Sequence, residues 1–288
     1  MQLQLADLTY FWLGPLGGLR QLPLLPVTGN TTADETLIGD VTESLDGTAT
    51  LHVFGHRRSW RCDWVCLTAD EVAPLAAMFR RLDRRPLRLV DPRDRNRLTR
   101  DGSTAGCYSR DTRAHTTTAG APAFVAVTDY PAPYAGLVDG GVAWPVPAST
   151  AATLRVDDTG RVPLLPGETV TVSALVKGTL GAQLGVAYYD AAGAAAGTSL
   201  AGTVTLAGWV VASHTVTPAA GQVAGSLTLT VASGAARTVT VGPAQWQTGP
   251  VVSGWAPGAG CPVVVAPAMT TRYPGLAHSD TGLQLREV

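Results

Sequence analysis

Lysine is almost missing from this 288-residue sequence: Lys177 is the only one, and nearly all cationic charge is carried by arginine. Charged residues make up only 15% and the net charge is −1, so no global field favours nucleic acid or an acidic surface. The four cysteines, 62, 66, 107 and 261, lack the spacing of a disulfide framework, and no oxidising compartment is implied. No apolar run reaches the ~18 residues of a membrane span. The start, MQLQLADLTYFWLGPLGGLRQLP, lacks a basic segment followed by a long apolar run, so no signal peptide is expected.

The usual motifs of chemistry are scarce as well. Histidines 52, 56, 115, 214 and 278 are spread along the sequence, and none belongs to an HExxH metal motif. There is no nucleophile elbow, phosphate loop or dinucleotide fingerprint in a strand–turn–helix setting. His56, Ser59 and Asp63 are close in sequence, but proximity along a strand does not make a triad. Asp157, Asp158, Glu168 and Asp190 read as exposed turn acids rather than a catalytic pair. No catalytic residue, metal or cofactor is assigned, and no enzymatic activity is expected.

What is present is Thr, Val, Ala and Gly in abundance, with 32 Gly and 20 Pro, a composition of short strands and many turns. In residues 41–53, Asp46-Gly47 separates two strand-like runs and predicts a hairpin. The run from Trp60 to Leu67 alternates and places Cys62, Trp64 and Cys66 on one face, with Arg61 and Asp63 on the other. Four strand steps separate the two sulfurs' α-carbons by roughly 13 Å, too far for a disulfide, so both cysteines are expected in the core.

A helix near residues 69–82 follows. Thr68 and Glu71 fit a capping box, and Val72, Leu75, Phe79 and Leu82 form a stripe at helical spacing. Arginines 80, 81, 84 and 85 fall at its last turn, and Pro74 predicts a later start or a bend. The stretch RRLDRRPLRLVDPRDRNRLTR, residues 80–100, holds the densest charge. Interleaved Asp83, Asp91 and Asp94 and the lack of aromatics argue against a nucleic-acid groove. A solvated face or a subunit interface fits better, with Arg80, Arg81, Arg84, Arg85, Arg88, Arg93 and Arg95 as its candidates.

Near residue 104 the charge nearly vanishes. About eight short strands separated by Gly, Pro and Asp turns then run to residue 258 and predict a jelly-roll β-sandwich. Residues 261–288 carry two strand-like runs too small to fold alone. They are expected to return to the first region, which makes the sandwich an insertion. The fold class is therefore mainly β: a β-rich domain with one helix, residues 1–103 with 261–288, and an inserted sandwich, residues 104–258.

Two resemblances bear on function. Arg58-Ser59-Trp60, the helix after it, Pro86 to Pro92 and Asn96, with the closing YPGLAHSDTGLQLREV, resemble tail proteins of tailed bacteriophages. That resemblance implies a distal tail or minor tail protein at the virion tail tip, made in the host cytoplasm. It further implies a homo-oligomeric ring, with a hexamer among the options, that joins the tail tube to hub or fibre proteins. In the second region, LPGETVTVSALVKG, GVAYYDAAGA, GWVVASHTVTPAAG and VGPAQWQTGPVVSGWAPG resemble carbohydrate-binding modules, with Gln247 standing where such modules often have Glu. That implies host-surface glycan as a partner. Sugar stacking would call on Trp246 first, with Tyr188, Tyr189, Trp209 and Trp255 as further candidates, and adjacent Tyr188 and Tyr189 on opposite faces. A glycan-binding adhesin and the non-catalytic part of a secreted polysaccharide hydrolase are the alternatives to a structural tail-tip protein.

Overall fold

The computed structural model describes residues 10–23, 31–44, 46, 48–275 and 278–288. In chain order the strands are β1 (Trp12–Gly14), β2 (Arg20–Gln21), β3 (Thr31–Glu43), β4 (Ala49–Leu67) and β5 (Leu87–Val90), with helix α1 (Ala69–Phe79) between the last two. The short helix α2 (Arg100–Ser103) precedes β6 (His115–Thr117), β7 (Ala123–Ala126), β8 (Gly140–Val146), β9 (Ala152–Val156), β10 (Val162–Pro163) and β11 (Val170–Lys177). Then come β12 (Gln183–Tyr189), β13 (Ala195–Leu200), β14 (Trp209–Val216), β15 (Ala224–Val231), β16 (Arg237–Thr248), β17 (Val263–Gly275) and β18 (His278–Glu287). The mainly β class expected from composition is what the chain adopts.

Two compact units divide it, one of residues 10–89 and 262–288, the other of residues 90–261. The first unit is a seven-stranded sheet in the order β2-β1-β5-β17-β18-β4-β3. The C-terminal hairpin β17–β18 thus sits at its centre, next to β5 and β4. Its apolar core gathers Leu13, Trp60, Cys62, Trp64, Leu67, Leu75, Leu89, Leu283 and Leu285.

Helix α1 starts where the capping box predicts. The Glu71 carboxylate accepts hydrogen bonds from the backbone N–H and the hydroxyl of Thr68, both at 2.8 Å, and these hold its pKa below the usual carboxylate range. Pro74 lies inside the helix rather than delaying it. The helix stops at Phe79, so Arg81, Arg84 and Arg85 lie beyond it, and Leu82 is 75% exposed instead of joining the buried stripe.

The cysteine strand departs from strict alternation. Cys62 and Trp64 are buried, but Cys66 is exposed and Leu67 takes the next core position. The reason is a bulge. Cys66 has φ 58°, and the register with β18 slips between Thr281, opposite Trp64, and Ser279, opposite Leu67. One extra residue on β4 turns the remaining side chains over. Asp280 holds the bulge by accepting the Cys66 N–H at 3.0 Å.

The predicted hairpin forms, with Val41 opposite Leu51 and Glu43 opposite Ala49, while Gly47 of the expected turn lies outside the described residues. It is longer than foreseen. Strand β3 pairs with β4 from Thr31 to Glu43, but β18 accompanies β4 only from Ser59 to Leu67. Outward from Thr36 and Arg57 the hairpin is a two-stranded arm, roughly 25 Å long at the rise of a strand.

The second unit is a sandwich. One sheet runs β13-β12-β15-β9-β6, with β10 also on β15, and the other runs β14-β11-β16-β8-β7. Their inner faces supply the largest core side chains, among them Trp144, Trp246, Leu154, Leu184 and Leu227. Gly225 of β15 faces Trp246 of β16 so closely that a Cβ there would sit 2.6 Å from the indole ring.

Residues 90–103, expected with the first domain, belong to this sandwich unit. Two buried polar side chains tie them down. The Asn96 amide donates to the carbonyls of Ala244 and Ala256 at 2.9 and 2.8 Å, and its oxygen accepts the Trp246 N–H at 3.0 Å. Arg97 donates to Glu168 at 3.0 Å and to the Thr248 hydroxyl at 2.6 Å. Most buried polar groups are paired, and the partners of these two lie in the sandwich.

Candidate functional site

The aromatics expected to stack on sugar do not form one surface. Trp246 has no exposed area at all and packs between the sheets, so it presents no face to a ring. Tyr188 lies opposite Gly225, and that glycine faces the Trp246 ring, so Tyr188 sits on the inner side. Trp209 is half-buried, its ring centroid 4.8 Å from Tyr130 and the Lys177 amine 5.6 Å away. The Trp255 indole N–H is held by the carbonyls of Ser103 and Ala244, at 3.3 and 3.2 Å.

Gln247 has a structural role. Its side-chain oxygen accepts the N–H and hydroxyl of Ser253, at 3.2 and 2.7 Å, and its amide donates to the Val251 carbonyl. Gln245 joins through the Ser253 hydroxyl at 2.9 Å and the Ala256 N–H at 3.0 Å. These bonds fasten residues 251–256 to β16.

Tyr189 alone leads to a polar cluster, on the outer face of the β12–β15–β9 sheet. Its hydroxyl donates to Asp158 and accepts from the Arg155 guanidinium at 3.1 Å. Arg161 stacks on the ring, 3.7 Å from its centroid, anchored by the carbonyls of Gly193 and Asp158. Burial, more than the neighbouring carboxylate, raises the phenol's pKa. The Asp158 carboxylate also receives the hydroxyls of Thr116 and Ser226, each at 3.4 Å.

The floor of this face is low, because the register places Gly185 opposite Thr228 and Ala187 opposite Ser226. Arg155 lies across Thr228, and both the Arg155 Nε and the buried Thr228 hydroxyl have no hydrogen-bond partner among the described residues. Two guanidinium groups, one carboxylate and a set of hydroxyls can hold an oxygen-rich ligand through hydrogen bonds. The open aromatic platform is lacking, since Arg161 occupies the ring face.

Sequence reading missed Arg155 and Arg161, and it took Asp158 for a solvated turn acid. Strand alternation puts Arg155 on the outer face of β9, but nothing local shows that β12 brings Tyr189 to it. The other turn acids divide. Asp190 is a turn acid, accepting the N–H groups of Ala192 and Ala194. Asp157 and Glu168 are buried instead.

The seven candidate interface arginines are split between the units. Arg80 caps the C-terminus of α1, and Arg81, Arg84 and Arg85 follow it. Arg85 is bound to Asp83 at 2.7 Å and to the Leu16 carbonyl. Arg88 is on β5. Arg93, paired with Asp91 at 2.6 Å, and exposed Arg95 belong to the sandwich unit.

A second candidate surface is the β3–β4 arm. Among the described side chains its exposed apolar residues are Leu37, Ile38 and Val41, the last 58% exposed. At the root of the arm His56 pairs with Glu35 at 3.0 Å and Arg58 pairs with Glu287 at 3.1 Å. No group of three or more His, Cys, Asp or Glu side chains suited to a metal exists among the described residues, and no helix there is long and apolar enough to cross a membrane.

No family model and no curated protein matches this chain. Similar solved structures include the enzymatically active domain of bacteriophage CBA120 tailspike protein 4, at 14% identity and TM-score 0.41, covering 54% of this chain and 21% of that one. TmCBM61 in complex with β-1,4-galactotriose is similar at 15% identity and TM-score 0.36, covering 54% of this chain and 99% of that one. The Clostridium thermocellum xylanase 10B CBM22-1–GH10 modules, complexed with xylohexaose, follow at 16% identity and TM-score 0.35, covering 50% and 27%. This chain thus spans about a fifth of the tailspike structure. Likenesses at these TM-scores establish neither its family nor its function.

Proposed function

We propose that this chain is a non-catalytic structural protein that assembles with copies of itself through its first unit and displays the sandwich, as a component of a bacteriophage tail tip. The arm carries the proposal. A two-stranded ribbon is marginal in water, and this one keeps Leu37, Ile38 and Val41 exposed along an edge with one neighbour only. Long edges with apolar side chains are templates for pairing with another chain, and proteins that stay monomeric blunt them. The ring, with tube on one side and hub or fibre proteins on the other, rests on the sequence resemblance to phage tail proteins.

Light scattering of the purified chain at rising concentration, with electron microscopy of the large species, tests this. The expected result is a closed oligomer that falls to monomer when Leu37→Asp and Val41→Asp are combined. A wild-type chain that stays monomeric throughout, or a double variant that assembles unchanged, overturns it.

The polar face of the sandwich favours a second reading, binding of a hydroxyl-rich host glycan. Its support is the pair of unpartnered buried groups, Arg155 Nε and the Thr228 hydroxyl. Calorimetric titration against host cell-surface polysaccharide should show saturable binding that Arg155→Ala abolishes and Trp246→Phe preserves. No heat across a glycan panel sinks this reading.

A further inference from the structure

We infer that the polar face of the sandwich takes an acidic sugar, with the carboxylate of a uronic acid gripped by Arg155. This rests on the glycan reading and names the class of glycan.

The bonding capacity left over on this face is that of donors. The Asp158 carboxylate is filled: it accepts the hydroxyls of Tyr189, Thr116 and Ser226, and Arg155 Nη1 stands 3.6 Å away. Arg155 is held through Nη1 alone, which also reaches the Tyr189 hydroxyl. Its Nε is buried without a partner among the described residues, and its Nη2 is accessible and equally unused. Arg161 donates through Nε and Nη1 to the carbonyls of Asp158 and Gly193, which leaves its Nη2 over. The Thr228 side chain is 1% exposed, and its hydroxyl has no partner among the described residues. A ligand that completes these groups must bring acceptors.

The vacant edge of Arg155 is the one that suits a carboxylate. The N–H groups of Nε and Nη2 lie parallel on one edge of the guanidinium plane and match two carboxylate oxygens. This chain uses that edge elsewhere. Arg58 on Glu287, Arg85 on Asp83 and Arg93 on Asp91 each donate through Nε and Nη2. On Arg155 the same fork is empty. A carboxylate meets the accessible Nη2 first and gains Nε as the guanidinium tilts, a movement that breaks no bond at Nε.

Strand register makes the room. Thr228 has Arg155 opposite it on β9 and Gly185 opposite it on β12, so no side chain rises on the glycine side. Leu200 leans over that glycine from β13, 2.8 Å from where a Cβ would stand, and bounds the site. Charge alone does not select the ligand. Arg155 and Arg161 are balanced by Asp158 and, at the neighbouring turn, by Asp190, whose carboxylate accepts the N–H groups of Ala192 and Ala194. Selection comes from directed donors. A neutral sugar brings hydroxyls that both donate and accept, whereas a carboxylate only accepts.

Calorimetry of the full chain against polygalacturonate, alginate and hyaluronan, each beside its carboxyl-reduced form, tests this. At least one acidic polymer should bind tenfold or more tightly than its reduced form. Arg155→Lys keeps the charge but loses the fork, and should lower affinity for that polymer to the level of the reduced one. Thr228→Val removes a hydroxyl that is unpartnered in the free chain. It should leave the urea midpoint unchanged or raised, yet weaken the acidic polymer several-fold. If acidic and reduced forms bind equally, or Arg155→Lys keeps the full preference, the carboxylate site is refuted and the glycan reading stands. Dextran sulfate displacing the acidic polymer at equal charge concentration would also refute it, in favour of a site for any polyanion. No heat with any of these polymers or across a glycan panel overturns both.

Discussion

Arg97 and Glu168 form an ion pair at 3.0 Å with both side chains sealed in the sandwich unit, 2% and 0% exposed. The arginine comes from the most charged stretch of the sequence, where neighbouring arginines are solvated. Glu168 is also satisfied by the Leu165 N–H at 2.7 Å and the Thr248 hydroxyl at 3.1 Å. Removing one partner leaves the other buried and uncompensated. Arg97→Met should cost about 3–5 kcal/mol in chemical denaturation, and adding Glu168→Gln should recover a good part of it. A double-variant loss equal to the sum of the two single losses would show that the two groups are not coupled.

Trp246 should matter to folding and not to recognition. Trp246→Ala leaves a large cavity between the sheets and should destabilise by about 3–5 kcal/mol. The indole N–H has no partner among the described residues, so Trp246→Phe loses volume but no hydrogen bond and should cost distinctly less. Urea midpoints of the two variants check the order.

His115 and Asp157 should oppose each other in acid. Burial lowers the His115 pKa to about 4, and burial raises that of Asp157 to about 6 against the two hydrogen bonds from Thr99. For His115 the unfolded chain takes up the proton first, below about 6.5, so acidification toward pH 4 destabilises. For Asp157 the folded chain holds the proton below about 6 while the unfolded one releases it above about 3.8, so acidification stabilises. The two contributions nearly cancel. Asp157→Asn should expose the histidine and lose about 2 kcal/mol between pH 6.5 and 4.5 relative to wild type, whereas His115→Leu should gain about 2 kcal/mol over the same interval. Parallel stability–pH curves for all three proteins would refute the assignment.

Cys66 should be the first thiol of the first unit to react. It is exposed on the β4 bulge, while Cys62 is fully buried beside it in sequence. Mass spectrometry after brief maleimide treatment should find Cys66 modified and Cys62 intact until denaturant is added. Cys66→Gly relieves a left-handed backbone, φ 58°, and should raise stability by up to about 1 kcal/mol. Prompt labelling of Cys62 in the native state would contradict the core assignment.

The sequence by itself determined whatever depends on near neighbours and period. Thr68 and Glu71 announced the helix start, Val41 to Val53 announced a hairpin, and the Gly- and Pro-punctuated runs announced a strand-rich fold with a sandwich. Helix capping, turn chemistry and side-chain alternation act within a few residues, so one chain segment is enough to see them. The tertiary structure alone decided the rest. A single inserted residue put Leu67 in the core and Cys66 in solvent. Asn96 and Arg97 joined the sandwich because their hydrogen-bond partners, Trp246 and Glu168, lie some 70 or more positions away. Trp246 became core because the pairing of β16 with β11 turned it inward, and Tyr189 became part of a polar face because the pairing of β12, β15 and β9 turned it outward. Burial and pairing are sums over distant segments, and no local pattern contains them.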